Sequence, residues 1–213
     1  MFVAIDPRSL SPSQMYDLLV GTIQPRPIAF VSSLSLDGAE NLAPFSFFMA
    51  GGANPPSLMY SPTLNVRGEA KDSLRNVSET GEFVVNIVTR EMAEAMNSTA
   101  FDYPAGFSEW PIAGLTPVAS SLVKPRRVQE SPVSFECRLF KIVSHGEGPS
   151  SANYVIGEIV LVHALEELWT GKGLNMGLLR PISRLGGREY LDTEALEIFE
   201  MARPTNKDET SVE

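Results

Sequence analysis

The chain is poor in the side chains that most nucleophilic and metal sites require. Among its 213 residues there are one cysteine and two histidines. Cys137 lies in an alternating strand pattern and has no second thiol with which to form an internal disulfide, so we interpret it as a core residue. His145 and His163 provide neither metal-ligand spacing nor a Cys/His dyad with their neighbours, and both are predicted to be structural.

Positive charge is also scarce. The chain has 17 Lys and Arg residues against 26 Asp and Glu residues, which gives a net charge of -9 and a pI near 4.8. Nonspecific nucleic-acid binding depends on many cations that neutralise phosphates, so a nucleic-acid partner is not predicted. No stretch approaches the roughly 20 consecutive apolar residues of a membrane-spanning helix. Residues 1–6 lack a basic region followed by an apolar run. The sequence therefore predicts no membrane association and a cytoplasmic protein.

Glycine-rich nucleotide motifs are missing as well. Neither Gly146-Glu-Gly148 nor Gly171-Lys-Gly173 extends to a dinucleotide fingerprint or a P-loop. The overall composition, 43% hydrophobic and 20% charged, is ordinary for one globular domain. We assign residues 1–203 to a single domain and predict that the polar residues 204–213 form a disordered tail.

One stretch is unusual. Residues 41–49 carry three phenylalanines in four positions, a proline, and small or amide side chains. Proline cannot donate to a ladder, so the stretch is not a central strand. We interpret it as an edge strand that bends into a loop and leaves backbone groups free to face a flat polar ligand between aromatic walls. A hydrophobic strand followed by a turn is the alternative.

The chain before this stretch predicts a helix and a hairpin. Ser11-Pro-Ser-Gln14 has the residues of a capping box, and Gly21 is expected to end the helix. Residues 28–34 form the first strand. The turn at Asp37-Gly38 then reverses the chain, so that residues 41–48 pair with that strand.

A second helix follows from Lys71 to its expected stop at Gly81. Lys71 and Ser73 stand at the N-terminus, where free N–H groups and the positive end of the dipole favour a phosphate monoester. Asp72 would repel a phosphate unless its carboxylate turns away and caps the helix. A charged, solvated helix start is the alternative.

The later chain predicts a closed antiparallel sheet. Residues 82–88 are apolar on both faces, as in a strand that is covered on both sides, and residues 90–97 form a short helix. Residues 133–143 alternate until Phe140, where the change of parity indicates a bulge. Residues 154–163 form a further strand. Because hairpins and short helices replace alternating βαβ units, we expect a mainly antiparallel sheet that closes into a barrel.

Two apolar features are hard to bury within one small barrel. The strand 154–163 is apolar on both faces near its end, and residues 101–110 form an irregular aromatic loop. The loop could roof a pocket, pack on a neighbouring subunit, or simply anchor itself. We predict a homodimer, because a subunit interface would cover both features.

Five blocks of the chain, taken in order over residues 21–190, resemble the flavin reductase-like domain family. The blocks are Pro25-Arg-Pro-Ile-Ala-Phe-Val-Ser32, Asn41-Leu-Ala-Pro-Phe-Ser-Phe-Phe48, Lys71-Asp-Ser-Leu-Arg-Asn76, Gly81-Glu-Phe-Val-Val-Asn86 and Arg184-Leu-Gly-Gly-Arg-Glu-Tyr190. The resemblance implies a mainly β fold with short helices, the antiparallel FMN-binding split β-barrel. It also implies a homodimer with flavin near the subunit interface, as in flavoredoxins and the reductase components of two-component monooxygenases.

The same resemblance implies a set of FMN-binding residues. The ring would be lined, largely through backbone groups, by Asn41, Ala43, Pro44, Phe45, Ser46, Phe47 and Phe48. Ser61, Lys71 and Ser73 would face the ribityl phosphate, and Arg67 and Asp72 are further cofactor-binding residues. Arg184 and Tyr190 would close the flavin or nicotinamide side. The small residues 50–53 would leave space beside the ring for a second flat ligand, although a flexible loop explains them equally well.

These implications fit the missing catalytic groups, because a flavin performs hydride chemistry itself. No catalytic side chain is predicted. One hypothesis is an NAD(P)H-dependent flavin reductase that uses FMN and passes electrons to a flavin-dependent monooxygenase or another acceptor. The alternative is a bound-FMN electron carrier or flavin-binding module without NAD(P)H activity. A barrel that has lost its cofactor is a third hypothesis, which the phosphate-type residues disfavour.

Overall fold

The computed structural model describes residues 1–195, in which strands predominate over helices. The predicted tail at 204–213 lies outside the described residues. The strands are β1 (Arg26–Pro27), β2 (Ala29–Leu34), β3 (Glu40–Phe45), β4 (Phe48–Ala53), β5 (Pro56–Tyr60), β6 (Glu82–Asn86), β7 (Pro117–Val118), β8 (Arg127–Val128), β9 (Val133–His145), β10 (Ala152–Ala164), β11 (Ile182–Arg184) and β12 (Tyr190–Asp192). The helices are α1 (Pro12–Thr22), α2 (Asp72–Thr80), α3 (Ala93–Ser98) and α4 (Trp110–Ala113).

The main sheet is antiparallel throughout and has the order β3-β2-β6-β9-β10-β5-β4. Its two edges, β3 and β4, are consecutive in the chain and are joined by Ser46 and Phe47. The Ser61 N–H donates to the Phe47 carbonyl over 2.8 Å and fixes this bend. Pro44 lies in β3, which pairs only with β2, so the predicted edge position of the proline and the bend after it are confirmed. The predicted mainly antiparallel β fold is confirmed as well.

Strand β2 is buried on both faces because each face meets a different core. Ala29 and Val31 pack in one cluster with Tyr60 and Phe83, beneath α2. Phe30, on the other face, joins a second cluster, which includes residues of α3 and α4. Strand β6 is covered in the same way, as predicted for residues 82–88. Cys137 is fully buried in the first cluster, which confirms its interpretation as a core residue.

The bulge predicted at Phe140 is present. Leu139 pairs with Gly157 and Lys141 pairs with Ile156, so Phe140 is the extra residue in β9. Next to it, a Cβ atom at Gly157 would lie 2.3 Å from Cζ of Phe83. Only glycine therefore allows the Phe83 ring to pack against β10 in this way.

The helices follow their predicted signals with small differences in length. Ser11 and Gln14 form the capping box of α1, but α1 continues one residue past Gly21. Helix α2 ends at Gly81, which adopts a left-handed conformation with φ of 71°. Helix α3 is displaced toward the C-terminus from the predicted 90–97, because a turn precedes it. Within residues 1–195 no helix is long and apolar enough to cross a membrane.

A fully buried carboxylate anchors the loop before β8. Glu136 accepts hydrogen bonds from the backbone N–H groups of Ser121, Leu122 and Val123 at 2.7, 2.6 and 3.2 Å. His163 Nε2 lies 2.6 Å from its Oε1, which agrees with the structural role predicted for this histidine. Burial alone would raise the pKa of Glu136, but the hydrogen bonds from Ser121, His163 and Leu122 outweigh it and leave the pKa below its ordinary value.

We expect Glu136→Gln to lower the free energy of unfolding by roughly 2–4 kcal/mol at neutral pH, because several charge-assisted hydrogen bonds are weakened. The lowered pKa adds a pH dependence. The stabilisation that ionised Glu136 provides is fully present above its ordinary pKa of 4.5. It is lost as the pH falls toward the lowered pKa of the folded protein. Urea unfolding between about pH 7 and pH 3 measures both effects.

The variant should therefore differ most from wild type at neutral pH and least in acid. Glu147→Gln, in an exposed turn, is the control and should match wild type throughout. A constant difference between Glu136→Gln and wild type over the whole pH range would contradict the proposed linkage.

Candidate functional site

A cleft of about 530 Å³ lies between β3, the first turn of α2 and the start of the aromatic loop. It brings together eight residues that the family resemblance implied: Asn41, Ala43, Pro44, Phe45, Arg67, Lys71, Asp72 and Ser73. Residues 99–105 border it on the side of the aromatic loop, and Glu109 lines it as well. The cleft therefore joins an apolar strand to a charged helix terminus.

The strand side of the cleft follows from the alternation in β3. Leu42 points into the second core and is fully buried. Asn41, Ala43 and Phe45 share the opposite face, where the Phe45 ring packs 5.1 Å from the ring of Tyr60. An edge strand with a proline thus presents one amide, one methyl group and one aromatic ring to the same side.

The helix side of the cleft carries uncompensated positive charge. Lys71 is the N-cap of the nine-residue α2, and no side chain caps the helix. The first backbone N–H groups of a helix have no intrahelical acceptor. The exposed Lys71 side chain forms no hydrogen bond or ion pair with any residue that the structure describes. This corner can therefore receive an anion.

The Asp72 carboxylate is engaged by other groups of the protein. Its carboxylate pairs with Arg75, one turn further along α2, and accepts a hydrogen bond from the Gly106 N–H over 2.7 Å. The second contact ties the aromatic loop to α2. Within the loop, the Tyr103 ring stacks on Phe107 at 4.6 Å and meets Phe101 edge-on at 5.0 Å. The loop is thus anchored, and it also borders the cleft.

A buried row of polar side chains runs beneath the cleft. The Ser73 hydroxyl donates to Asn41 Oδ1 over 3.0 Å, and Asn41 Nδ2 donates to Glu109 Oε2 over 2.9 Å. The Leu42 N–H donates to the same Glu109 oxygen over 2.9 Å. Burial raises the pKa of Glu109 although these bonds oppose the shift, and the charge of Asp72 raises it further. Because the Ser73 hydroxyl proton is directed at Asn41, Lys71 and the backbone amides are the donors left for an anion.

Sequence reasoning missed Glu109. It is a single acidic residue in an irregular aromatic loop, 68 residues from Asn41 in the chain, and no local pattern connects the two.

The other three residues that were predicted to line the flavin ring, Ser46, Phe47 and Phe48, do not line the cleft. Ser46 and Phe47 form the bend itself, and Phe48 begins β4. The Phe47 ring contacts Tyr16 of α1 at 6.2 Å. Ser61 is buried just after β5 and does not line the cleft, and its hydroxyl has no partner among the described residues.

Two further groups of predicted residues lie outside the cleft. The Arg184 guanidinium stacks 4.4 Å above the Tyr190 ring, and Tyr190 lines a different depression of about 370 Å³ beside α3. Residues 50–53 were predicted either to leave space beside the flavin ring or to form a flexible loop. They form the exposed edge strand β4 instead, and none of them lines the cleft. Pairing with β5 accounts for the difference, because it orders a glycine-rich segment that alone would be flexible.

Arg26 is a second residue that sequence reasoning missed. It is buried, and its guanidinium donates to the carbonyls of Val20, Ile23 and Leu185 at 2.7, 2.9 and 2.9 Å. Its Nε reaches the Ser46 hydroxyl at 3.4 Å. Burial is the main cause that lowers the pKa of Arg26. The residue therefore ties the end of α1 and the chain after β11 to the bend.

The family of the chain follows from comparison with known proteins. Residues 22–175 match the family model described as flavin reductase like domain. The chain belongs to the flavin reductase-like domain family.

Individual relatives extend the likeness to nearly the whole chain. The structure of nitrilotriacetate monooxygenase component B from Bacillus cereus is 36% identical, covers 94% of this chain and 99% of its own, and superposes with a TM-score of 0.88. The 2-nitrobenzoate 2-nitroreductase NbaA from Pseudomonas fluorescens is 32% identical, with 96% and 98% of the two chains covered and a TM-score of 0.84. An uncharacterised protein of Halalkalibacterium halodurans is 38% identical over 94% of this chain and 96% of its own. The predicted split β-barrel fold is confirmed.

Family membership implies flavin binding, and the cleft fits that ligand. A flavin nucleotide has a planar aromatic ring with a polar edge at one end, an anionic phosphate at the other and a polyol chain between them. The cleft has Pro44 and Phe45 at one end, Lys71 and an uncapped helix terminus at the other, and buried polar groups between them. Among residues 1–195 no group of three or more His, Cys, Asp or Glu side chains is placed to hold a metal.

Proposed function

We propose that the protein is an NAD(P)H-dependent flavin reductase that binds FMN in the cleft between β3 and α2. The observation that carries the proposal is the unpaired Lys71 at the uncapped terminus of α2, at one end of a cleft whose other end is apolar. Arg67 and Arg75 also line the cleft but pair with Glu69 and Asp72, so Lys71 is the cation there without a carboxylate partner among residues 1–195. One such cation with free backbone amides suits one phosphate monoester. We therefore favour FMN over a dinucleotide flavin as the resident cofactor.

The residues of this chain would bind and orient the cofactor. When bound, the flavin supplies the hydride chemistry. Lys71 and the first N–H groups of α2 would hold the phosphate, and Pro44 and Phe45 would flank the ring. Arg26 would keep the Ser46 bend in place through its contact with the Ser46 hydroxyl. Asp72 would leave the phosphate corner free of negative charge, because its carboxylate is engaged by Arg75 and Gly106.

The nicotinamide donor would be held without a dedicated nucleotide motif. Because the chain has no dinucleotide fingerprint, shape and a few polar groups would position the dinucleotide. We expect modest affinity and weak discrimination between NADH and NADPH. The electron acceptor would be a flavin-dependent monooxygenase or another reducible partner. The likeness to a monooxygenase component and to a nitroreductase supports this range of acceptors.

We further propose that the functional unit is a homodimer. The β9–β10 ribbon leaves large apolar side chains exposed in the single chain. Phe140 is 73% exposed and Val162 is 49% exposed, and Trp169, after β10, is 57% exposed. Exposed apolar groups on one long ribbon favour association with a second copy.

Lys71→Ala should weaken FMN binding by roughly ten- to hundredfold, because a charge-assisted hydrogen bond contributes about 1.5–3 kcal/mol. Riboflavin, which lacks the phosphate, should bind almost as well as it does to wild type. Fluorescence titration of the apoprotein measures both affinities. Lys172→Ala, in an exposed turn away from the cleft, is the control. Equal weakening of FMN and riboflavin would contradict the phosphate role.

The purified holoprotein should lose its flavin absorbance when NADH or NADPH is added without oxygen. This result separates a reductase from a carrier, because only the reductase admits the nicotinamide to the flavin face. Dithionite provides the reference for full reduction. If dithionite bleaches the flavin and neither dinucleotide does, the reductase proposal is wrong and the bound-FMN carrier replaces it.

Light scattering at micromolar concentration should give about twice the 23.2 kDa chain mass. Val162→Lys should shift the protein toward the monomer, because a charge would have to be buried at the interface. Leu36→Lys, at an exposed position outside the ribbon, should leave the mass unchanged. A wild-type monomer that retains tightly bound FMN would refute the dimer.

A further inference from the structure

Glu109 carries a carboxylate oxygen that the fold leaves free. The residue is 7% exposed, and one oxygen, Oε2, accepts the hydrogen bonds from Asn41 and Leu42. Oε1 forms no hydrogen bond with any residue between 1 and 195, and Glu109 lines the cleft. The side chain does not cap its own helix, since α4 has no side-chain cap. Oε1 can therefore accept a hydrogen bond from a donor that enters the cleft.

The position of Glu109 in the cleft limits what that ligand group can be. Through Asn41 it is linked to Ser73, two residues from Lys71 at the anion corner. Through Leu42 it is linked to the strand that carries Phe45. Both contacts place Glu109 at the start of β3, beside the first turn of α2. A partner of this carboxylate must be a hydrogen-bond donor, because a phosphate in contact with it would be repelled. In a flavin nucleotide the ribityl hydroxyls are the donors next to the phosphate, whereas the N3–H donor of the ring lies further away.

We propose that Glu109 binds the polyol portion of the flavin by accepting a hydrogen bond from a ribityl hydroxyl. The proposal rests on the proposed function, which makes a flavin the ligand of the cleft. A ribityl chain carries its hydroxyl donors next to the phosphate, and Glu109 lies next to the first turn of α2, where the phosphate would bind. Glu109 would then distinguish flavins with a polyol side chain from bare isoalloxazines, a selectivity that neither Lys71 nor Phe45 can provide.

The test compares three flavins that differ only in their side chain. FMN, riboflavin and lumiflavin, which has no ribityl chain, are titrated against the apoproteins of wild type and Glu109→Gln by fluorescence. In the variant the glutamine oxygen can keep the bonds from Asn41 and Leu42, and its N–H can donate to a ribityl hydroxyl, so the charge-assisted bond becomes a neutral one. We expect FMN and riboflavin to bind roughly five- to tenfold more weakly and lumiflavin to bind as it does to wild type.

Glu79→Gln, at an exposed position of α2, is the matched control and should leave all three affinities unchanged. If Glu109→Gln weakens the binding of all three flavins equally, Glu109 only holds Asn41 in position, and the proposal is overturned. Unchanged binding of all three would overturn it as well. If wild type itself binds none of the flavins, the proposed function fails, and that outcome is distinct from the other two.

A second measurement needs no variant. Riboflavin analogues that each lack one ribityl hydroxyl are titrated against the wild-type apoprotein. At least one analogue should bind about tenfold or more weakly than riboflavin, since its missing hydroxyl leaves the Glu109 oxygen without a donor. If every analogue binds as tightly as riboflavin, the polyol contact does not exist.

Discussion

The bend at Ser46 and Phe47 is the constraint on which the rest of the structure depends. Because only these two residues separate β3 from β4, one continuous segment supplies both edges of the seven-stranded sheet. Edge strands expose backbone groups that otherwise invite association, and closure through a short bend limits that exposure. The same bend ends the strand that carries the cleft residues. Two contacts hold it from outside the sheet, the Tyr16 ring against Phe47 and the Arg26 guanidinium beside Ser46.

Buried charges in this fold are satisfied by neutral groups more than by opposite charges. Arg26 donates to three carbonyls and a hydroxyl, and Glu136 accepts from three backbone amides. Glu109 accepts from one side-chain amide and one backbone N–H. In each case a single side chain joins segments that are distant in sequence. Such groups tolerate burial because hydrogen bonds replace hydration, and removing one would leave several backbone groups unpaired. The barrel is thus held together at its loops by a few charged side chains and between its strands by apolar cores.

The features that sequence reasoning predicted correctly obey local rules. Proline at position 44 excludes a central strand, the change of parity at Phe140 marks a bulge, and glycine at position 81 ends a helix. The features it missed depend on contacts between distant segments. Glu109 has its side-chain partner 68 residues away, and Arg26 joins nearby carbonyls of α1 to Leu185, which is 159 residues away. The flexible loop that was the alternative for 50–53 is a strand instead, because Ala50 and Ala53 pair with β5 on either side of the two glycines. Local pattern therefore predicted the elements, whereas the polar connections between them required the structure.

The overall charge of the protein and the local charge of the cleft have opposite signs. With a net charge of -9, the chain repels an anionic ligand at long range. That repulsion is screened beyond about 8–10 Å at physiological ionic strength. Attraction to a phosphate must therefore come from groups in direct contact with it, and the structure provides these in Lys71 and the free amides of α2. The engagement of Asp72 by Arg75 and Gly106 serves the same end, because it pairs the negative charge that is next to Lys71 in the chain with other groups. A protein of this charge recognises a flavin phosphate by contact rather than by its overall field, so selectivity depends on the few residues at the terminus of α2.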